Sequence, residues 1–183
     1  LNQAHTWDMT NLFENETIYQ EAFDQVEQDV TLFCETFEGH LSNETLINDA
    51  LTMYQDIQAR LVRINAYASL QSSTDSILEE NQMRQGKAML RMQAIAKKMA
   101  FIINALKQTD DALLQKAAAF NEDHAYFLKE VIEDKKYALD PKVEQTLVAL
   151  SPIMNAPYIN YNRFKLADMK FDDFTVDGVT YPN

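Results

Sequence analysis

Glycine and proline are scarce: three glycines and four prolines occur in 183 residues, and apart from Gly39 and Gly86 neither type appears before Pro141. These two residues are the strongest punctuation of a backbone, so their shortage predicts long uninterrupted helices. Cysteine is nearly absent too. A lone Cys34 excludes an internal disulfide framework and suits a reducing, cytoplasmic setting. Basic residues are outnumbered by acidic ones, 16 against 28, giving a net charge of −12 and a pI near 4.6. Such a surface repels phosphate backbones and anionic lipids, which argues against nucleic acid and membrane as partners. No apolar run is long enough to span a bilayer, and Leu1 opens no signal-peptide pattern. What is present, 46% hydrophobic residues, suffices for one substantial core, as a single domain or a large subdomain.

The apolar residues are spaced for helices. Ile18, Ala22, Val26, Val30, Phe33 and Phe37 recur at steps of three or four, predicting a helix from about Glu16 to Glu38 that ends at Gly39. Its opposite face is acidic and polar, with Gln20, Glu21, Asp24, Gln28 and Glu35. A second helix starts after Ser42 and carries Ile47, Ala50, Tyr54, Ile57, Leu61, Ile64 and Ala68 in a heptad seam, with Gln58 off it. Ser72-Ser73-Thr74-Asp75 reads as a turn. A third helix follows with Ala88, Met92, Ile95, Met99, Ile102 and Leu106 as its seam and Lys97 off it. Two long seams joined by a short polar loop predict an antiparallel pair.

Shorter helices are expected at Asp111 to Phe120 and Glu122 to Lys136. Asp140 and Pro141 read as a cap and first residue of another, running through Ala149. Pro152 and Pro157 predict a break or bend, with a short helix resuming at Tyr161 to Ala167. Finally Phe171, Phe174, Val176, Val179 and Tyr181 surround Asp177-Gly178, which predicts a β-hairpin. The aspartates there lack calcium-loop spacing. The fold class is thus mainly α, an antiparallel helical bundle with long helices and a C-terminal β-hairpin.

Few residues suggest chemistry. Asn15-Glu16-Thr17 and Asn43-Glu44-Thr45 match the glycosylation pattern but fall at helix starts, where asparagine caps are expected. Arg84, Lys87, Arg91 and Lys98 share one side of the third helix: a solvated or salt-bridged face against the acidic first helix is expected, with an anionic ligand as the alternative. Cys34 reads as a small core filler and His124 as ordinary surface. Met92 and Met99 fall in a seam, so core packing is preferred to a methionine-lined groove.

Both ends of the chain carry a recognisable pattern. Thr6-Trp7-Asp8-Met9-Thr10-Asn11-Leu12-Phe13 opens it, and Leu150-Ser151-Pro152-Ile153-Met154-Asn155-Ala156-Pro157 leads to Leu166-Ala167-Asp168-Met169-Lys170-Phe171. Together, in this order, they resemble the N-terminal region of oligoendopeptidase F, a zinc metallopeptidase family related to thimet oligopeptidase. The family's defining His-Glu-x-x-His, in which two histidines one helical turn apart grip zinc and the glutamate activates water, is missing. The histidines read His5-Thr6-Trp7, His40-Leu41-Ser42 and His124-Ala125-Tyr126. The resemblance therefore implies the non-catalytic front part of a longer enzyme, with no catalytic or metal residue of its own and zinc held elsewhere in the parent protein.

The expected organisation is an N-terminal extended segment at 1–14, a helical domain at 15–169, and a hairpin at 170–183 leading toward a catalytic domain absent here. The resemblance implies helices that wall a channel admitting short peptides, the downstream catalytic domain of the same chain being the partner. Tyr158, Tyr161 and Arg163 are the substrate-channel candidates, with aromatic filling of a bend as the competing reading. The alternative function is a stand-alone helical-bundle protein-interaction module. A di-metal carboxylate bundle is excluded because no Glu-x-x-His occurs.

Overall fold

A computed structural model describes residues 8–74, 78–137, 139, 141–165 and 172–181. His5, Thr6, Trp7, Asp75, Asp140 and the run Leu166 to Phe171 lie outside these. The chain divides into two compact units, 1–136 and 137–183.

The first unit is built on three long helices, α1 (Glu16–Phe37), α2 (Glu44–Thr74) and α3 (Glu79–Gln108). Both Asn-Glu-Thr tripeptides do start helices: Asn15 Oδ1 accepts from the Ile18 amide at 3.0 Å and Asn43 Oδ1 from the Leu46 amide at 2.9 Å. Gly39, at φ +80°, takes the left-handed conformation that stops α1. The turn expected at Ser72 to Asp75 does not interrupt α2, which runs on through Thr74. The hydroxyls explain this, because Ser73 donates to the Ser69 carbonyl at 2.9 Å and Thr74 to the Gln71 carbonyl at 2.8 Å instead of competing for the backbone.

Helix directions follow from cross-helix contacts. Glu16 with Arg84, Asp24 with Arg91 and Cys34 with Lys98 ascend together, so α1 and α3 run parallel. Asp29 with Arg60 and Leu12 with Arg63 run in opposite senses, so α2 is antiparallel to α1. Short connections then force α2 antiparallel to α3, as the paired seams predict.

The buried seams of α2 and α3 are largely those expected: Ile47, Ala50, Ile57, Leu61, Ile64 and Ala68 face Ala88, Ile95, Met99, Ile102 and Leu106 in one core, while Tyr54 and Met92 are half-buried. The front half of the α1 stripe is displaced by one position. Tyr19 and Phe23 are buried where Ile18 and Ala22 were expected, and Ile18 is 39% exposed. The larger rings win the interior: Phe13, Tyr19 and Tyr67 form edge-to-face and tilted contacts at 4.8 to 5.5 Å. Each such ring removes more apolar area from water than the isoleucine it displaces.

A helical hairpin completes this unit, α4 (Asp111–Phe120) and α5 (Glu122–Lys135). Asp110 caps α4 through the Ala112 amide at 2.7 Å, and Asn121 both ends α4 and caps α5 through the Asp123 amide at 3.0 Å. Lys135 closes the far end on Asp111 and the Thr109 carbonyl, each at 2.5 Å.

In the second unit α6 (Pro141–Arg163) is one continuous helix, with Pro152 and Pro157 inside it. The break expected at these prolines, and the separate helix from Tyr161, are therefore corrected as far as Arg163. Each proline removes one amide donor, leaving the carbonyls four residues earlier without that bond. Strands β1 (Phe174–Val176) and β2 (Val179–Tyr181) pair antiparallel, Phe174 opposite Tyr181. Asp177 and Gly178 at φ 51° and 79° make the two-residue turn that this hairpin needs.

Candidate functional site

The basic stripe of α3 meets the acidic face of α1. Arg91 donates through Nη2 to Asp24 at 2.6 Å, through Nε to Glu27 at 2.7 Å and through Nη1 to Gln20 at 3.2 Å, and its guanidinium lies 3.9 Å from the Phe23 ring centroid. The hydrogen bond to Glu27, helped by Asp24, holds it above its ordinary pKa. Arg84 is held by Glu16 at 2.6 Å and Asn81 at 2.8 Å. The salt-bridged reading thus holds for both arginines. Lys87 and Lys98 make no ion pair among the described residues. Cys34 is partly buried, its thiol 3.7 Å from the Lys98 carbonyl. Burial, with a smaller push from Glu38, raises its pKa, which suits the small core filler that the sequence suggests.

His124 is not surface, as its sequence surroundings suggested, but 2% exposed. Asn48 spends both side-chain N–H groups on the Glu44 and Ala117 carbonyls, at 2.8 and 3.0 Å. Its remaining oxygen lies 2.7 Å from His124 Nδ1, the nitrogen that also stands 3.3 Å from Asn121 Nδ2. Burial lowers the His124 pKa against a smaller opposing pull from Asp123. This is a structural node between α2, α4 and α5.

The expected channel residues lie on α6. Tyr158 is 71% and Tyr161 58% exposed, three positions apart and so on one face; Arg163 is the final residue of the helix. These tyrosines end a longer pattern that sequence reasoning passed over. Val143, Leu147, Leu150, Met154, Tyr158 and Tyr161 follow steps of four, three, four, four and three, and all are exposed. That periodicity was present in the sequence, hidden by the expectation of a break at Pro152. Phe174, Val176, Val179 and Tyr181 of the hairpin are exposed as well, the two end rings stacked at 5.4 Å.

Among the described residues no group of three or more His, Cys, Asp or Glu side chains could hold a metal ion, and no helix is long and apolar enough to cross a membrane.

A family described as Oligopeptidase F matches the chain over residues 105–171. An oligoendopeptidase F homolog of Borreliella burgdorferi is 22% identical over 98% of this chain and 31% of its own length. Group B oligopeptidase PepB of Streptococcus agalactiae is 23% identical over 93% of the chain and 29% of its own length. An oligoendopeptidase F homolog of Lactococcus lactis is 24% identical, again over 93% and 29%. No solved structure matches. The chain spans about three tenths of the length of the curated relatives it matches. The family match includes the pattern at residues 150–171, and the relatives extend the resemblance to oligoendopeptidase F along nearly the whole length of the chain.

Proposed function

We propose that this chain is the N-terminal, non-catalytic helical part of a cytoplasmic zinc-dependent oligoendopeptidase that hydrolyses short peptides, and that its helices wall the substrate channel. The observation that carries the reading is the coverage: relatives named as oligopeptidases align with 93–98% of this chain while it covers 29–31% of them, and no His-Glu-x-x-His occurs in it. Zinc does not fit the described residues. His124 is held by Asn48, and His40 Nδ1 lies 3.2 Å from the Thr36 carbonyl in an exposed corner with no ligand cluster around it. Metal binding and water activation belong, in this reading, to the part of such a protein that this chain does not cover.

The exposed stripe of α6 and the apolar hairpin suit burial against that remaining part, since an amphipathic helix is stable when its apolar face is covered. Tyr158, Tyr161 and Arg163 then border the peptide path. The contribution of the helices is steric. A narrow channel makes a folded chain lose its structure before it reaches the metal, whereas a short peptide enters already extended. Size selection follows without a specific contact.

The test is made in the complete protein with Leu61→Ala and Ile102→Ala, which loosen the α2–α3 pair. The ratio of kcat/KM on long unstructured chains to that on short peptides should rise, with a smaller loss on short peptides. An unchanged ratio in a variant whose melting curve shows it loosened but folded contradicts the gating role and favours a protein-interaction module.

A further inference from the structure

The solvent side of α3 carries a second stripe. Met83, Lys87, Leu90, Ala94 and Lys97 follow steps of four, three, four and three, and all are exposed, Met83 at 51% and Leu90 at 68%. At 3.6 residues per turn these five fall within about 80° of arc, turned away from the buried Ala88, Ile95, Met99 and Ile102. The charge along this helix is of one sign. Acids make up 28 of the 183 residues, yet none occurs from Asn81 to Thr109, a stretch with six cations. Pairing with the acidic face of α1 accounts for Arg84 and Arg91. It does not account for Lys87 and Lys97, which make no ion pair among the described residues.

We propose that this stripe of α3 docks an acidic amphipathic helix of a partner protein, whose apolar residues cover Met83 and Leu90 while its carboxylates meet Lys87 and Lys97. Single exposed apolar residues and single lysines are ordinary surface. Their alternation along one stripe, in a chain of net charge −12, is the pattern that a helix with apolar anchors and flanking acids complements. Lys87 and Lys97 are ten positions apart, about 15 Å along the axis, so a partner helix of three turns reaches both. An anionic bilayer calls for a cluster of about four to eight basic residues, and the stripe has two. The site is independent of the peptidase reading.

The test is calorimetric titration of the full chain with a helical peptide of about 20 residues carrying leucine at heptad positions a and d and glutamate at e and g. A second peptide has lysine for each glutamate, and vesicles of phosphatidylserine form a third arm. Saturable binding of the acidic peptide alone is expected, weakening as salt rises. Lys87→Glu with Lys97→Glu should weaken it about tenfold, since two attractions become repulsions. Met83→Ser with Leu90→Ser should weaken it through lost apolar burial. All four side chains are exposed, so the fold is retained, as melting curves will verify. The proposal is overturned if the acidic peptide shows no saturable binding, if both peptides bind equally, if the vesicles bind more tightly, or if either double substitution leaves the isotherm unchanged.

Discussion

Asn48 and His124 form a buried polar pair whose only charge-bearing member is kept neutral by its surroundings. With the folded pKa depressed, the unfolded chain binds the proton more readily, so the contribution to stability is present above the unfolded value of about 6.5 and lost as pH falls below it. Melting temperatures between pH 7.5 and 5 should therefore fall more in wild type than in His124→Gln; parallel curves would show that His124 does not titrate with unfolding. Asn48→Ala should destabilise the chain by about 1–3 kcal/mol, because it removes the buried partner of the Ala117 carbonyl and of the His124 ring nitrogen, with denaturant titration as the check. Neither residue announced itself in the sequence. The two stand 76 positions apart, and a histidine's burial depends on a partner that only the folded chain supplies. The caps at Asn15 and Asn43 were legible for the opposite reason: each bonds to an amide three residues on.

Helices were readable where one rule governed them. The seams of α2 and α3 follow from spacing alone, and Ile57 and Ile95 both end up buried while Lys97 is exposed and Gln58 half-buried. Ile57→Ala or Ile95→Ala should cost about 2–5 kcal/mol through lost burial and residual cavity, measured by chemical denaturation. Gln58→Ala and Lys97→Ala should be nearly neutral, and equal effects at all four positions would contradict the register. The front of α1 was misread because two overlapping stripes, Ile18 with Ala22 and Tyr19 with Phe23, both fit helical spacing; ring size decided between them. In α6 a local rule was overridden, since Pro152 and Pro157 sit within a continuous helix. A mid-helix proline costs roughly 3 kcal/mol relative to alanine, so Pro152→Ala should raise helix content and the unfolding temperature of the second unit. A drop in either would mean that the proline is required by the native geometry.

For the whole molecule, the sequence signalled a mainly α chain through missing glycine and proline, and a resemblance to oligoendopeptidase F through short patterns near its two ends. It could not signal that the stripe from Val143 to Tyr161 stays uncovered, because exposure depends on what packs against a face, not on its periodicity. That stripe and the partial coverage of the relatives fit the proposed function, in which the chain shapes access to a catalytic centre held in another part of the parent protein. The most direct test is to assay the isolated 183-residue chain for bound zinc by elemental analysis and for cleavage of a quenched fluorescent peptide. The expected result is zinc far below one equivalent and no chelator-sensitive hydrolysis, while a longer protein carrying this chain with a His-Glu-x-x-His segment shows both. Stoichiometric zinc and chelator-sensitive cleavage by the isolated chain would contradict the claim.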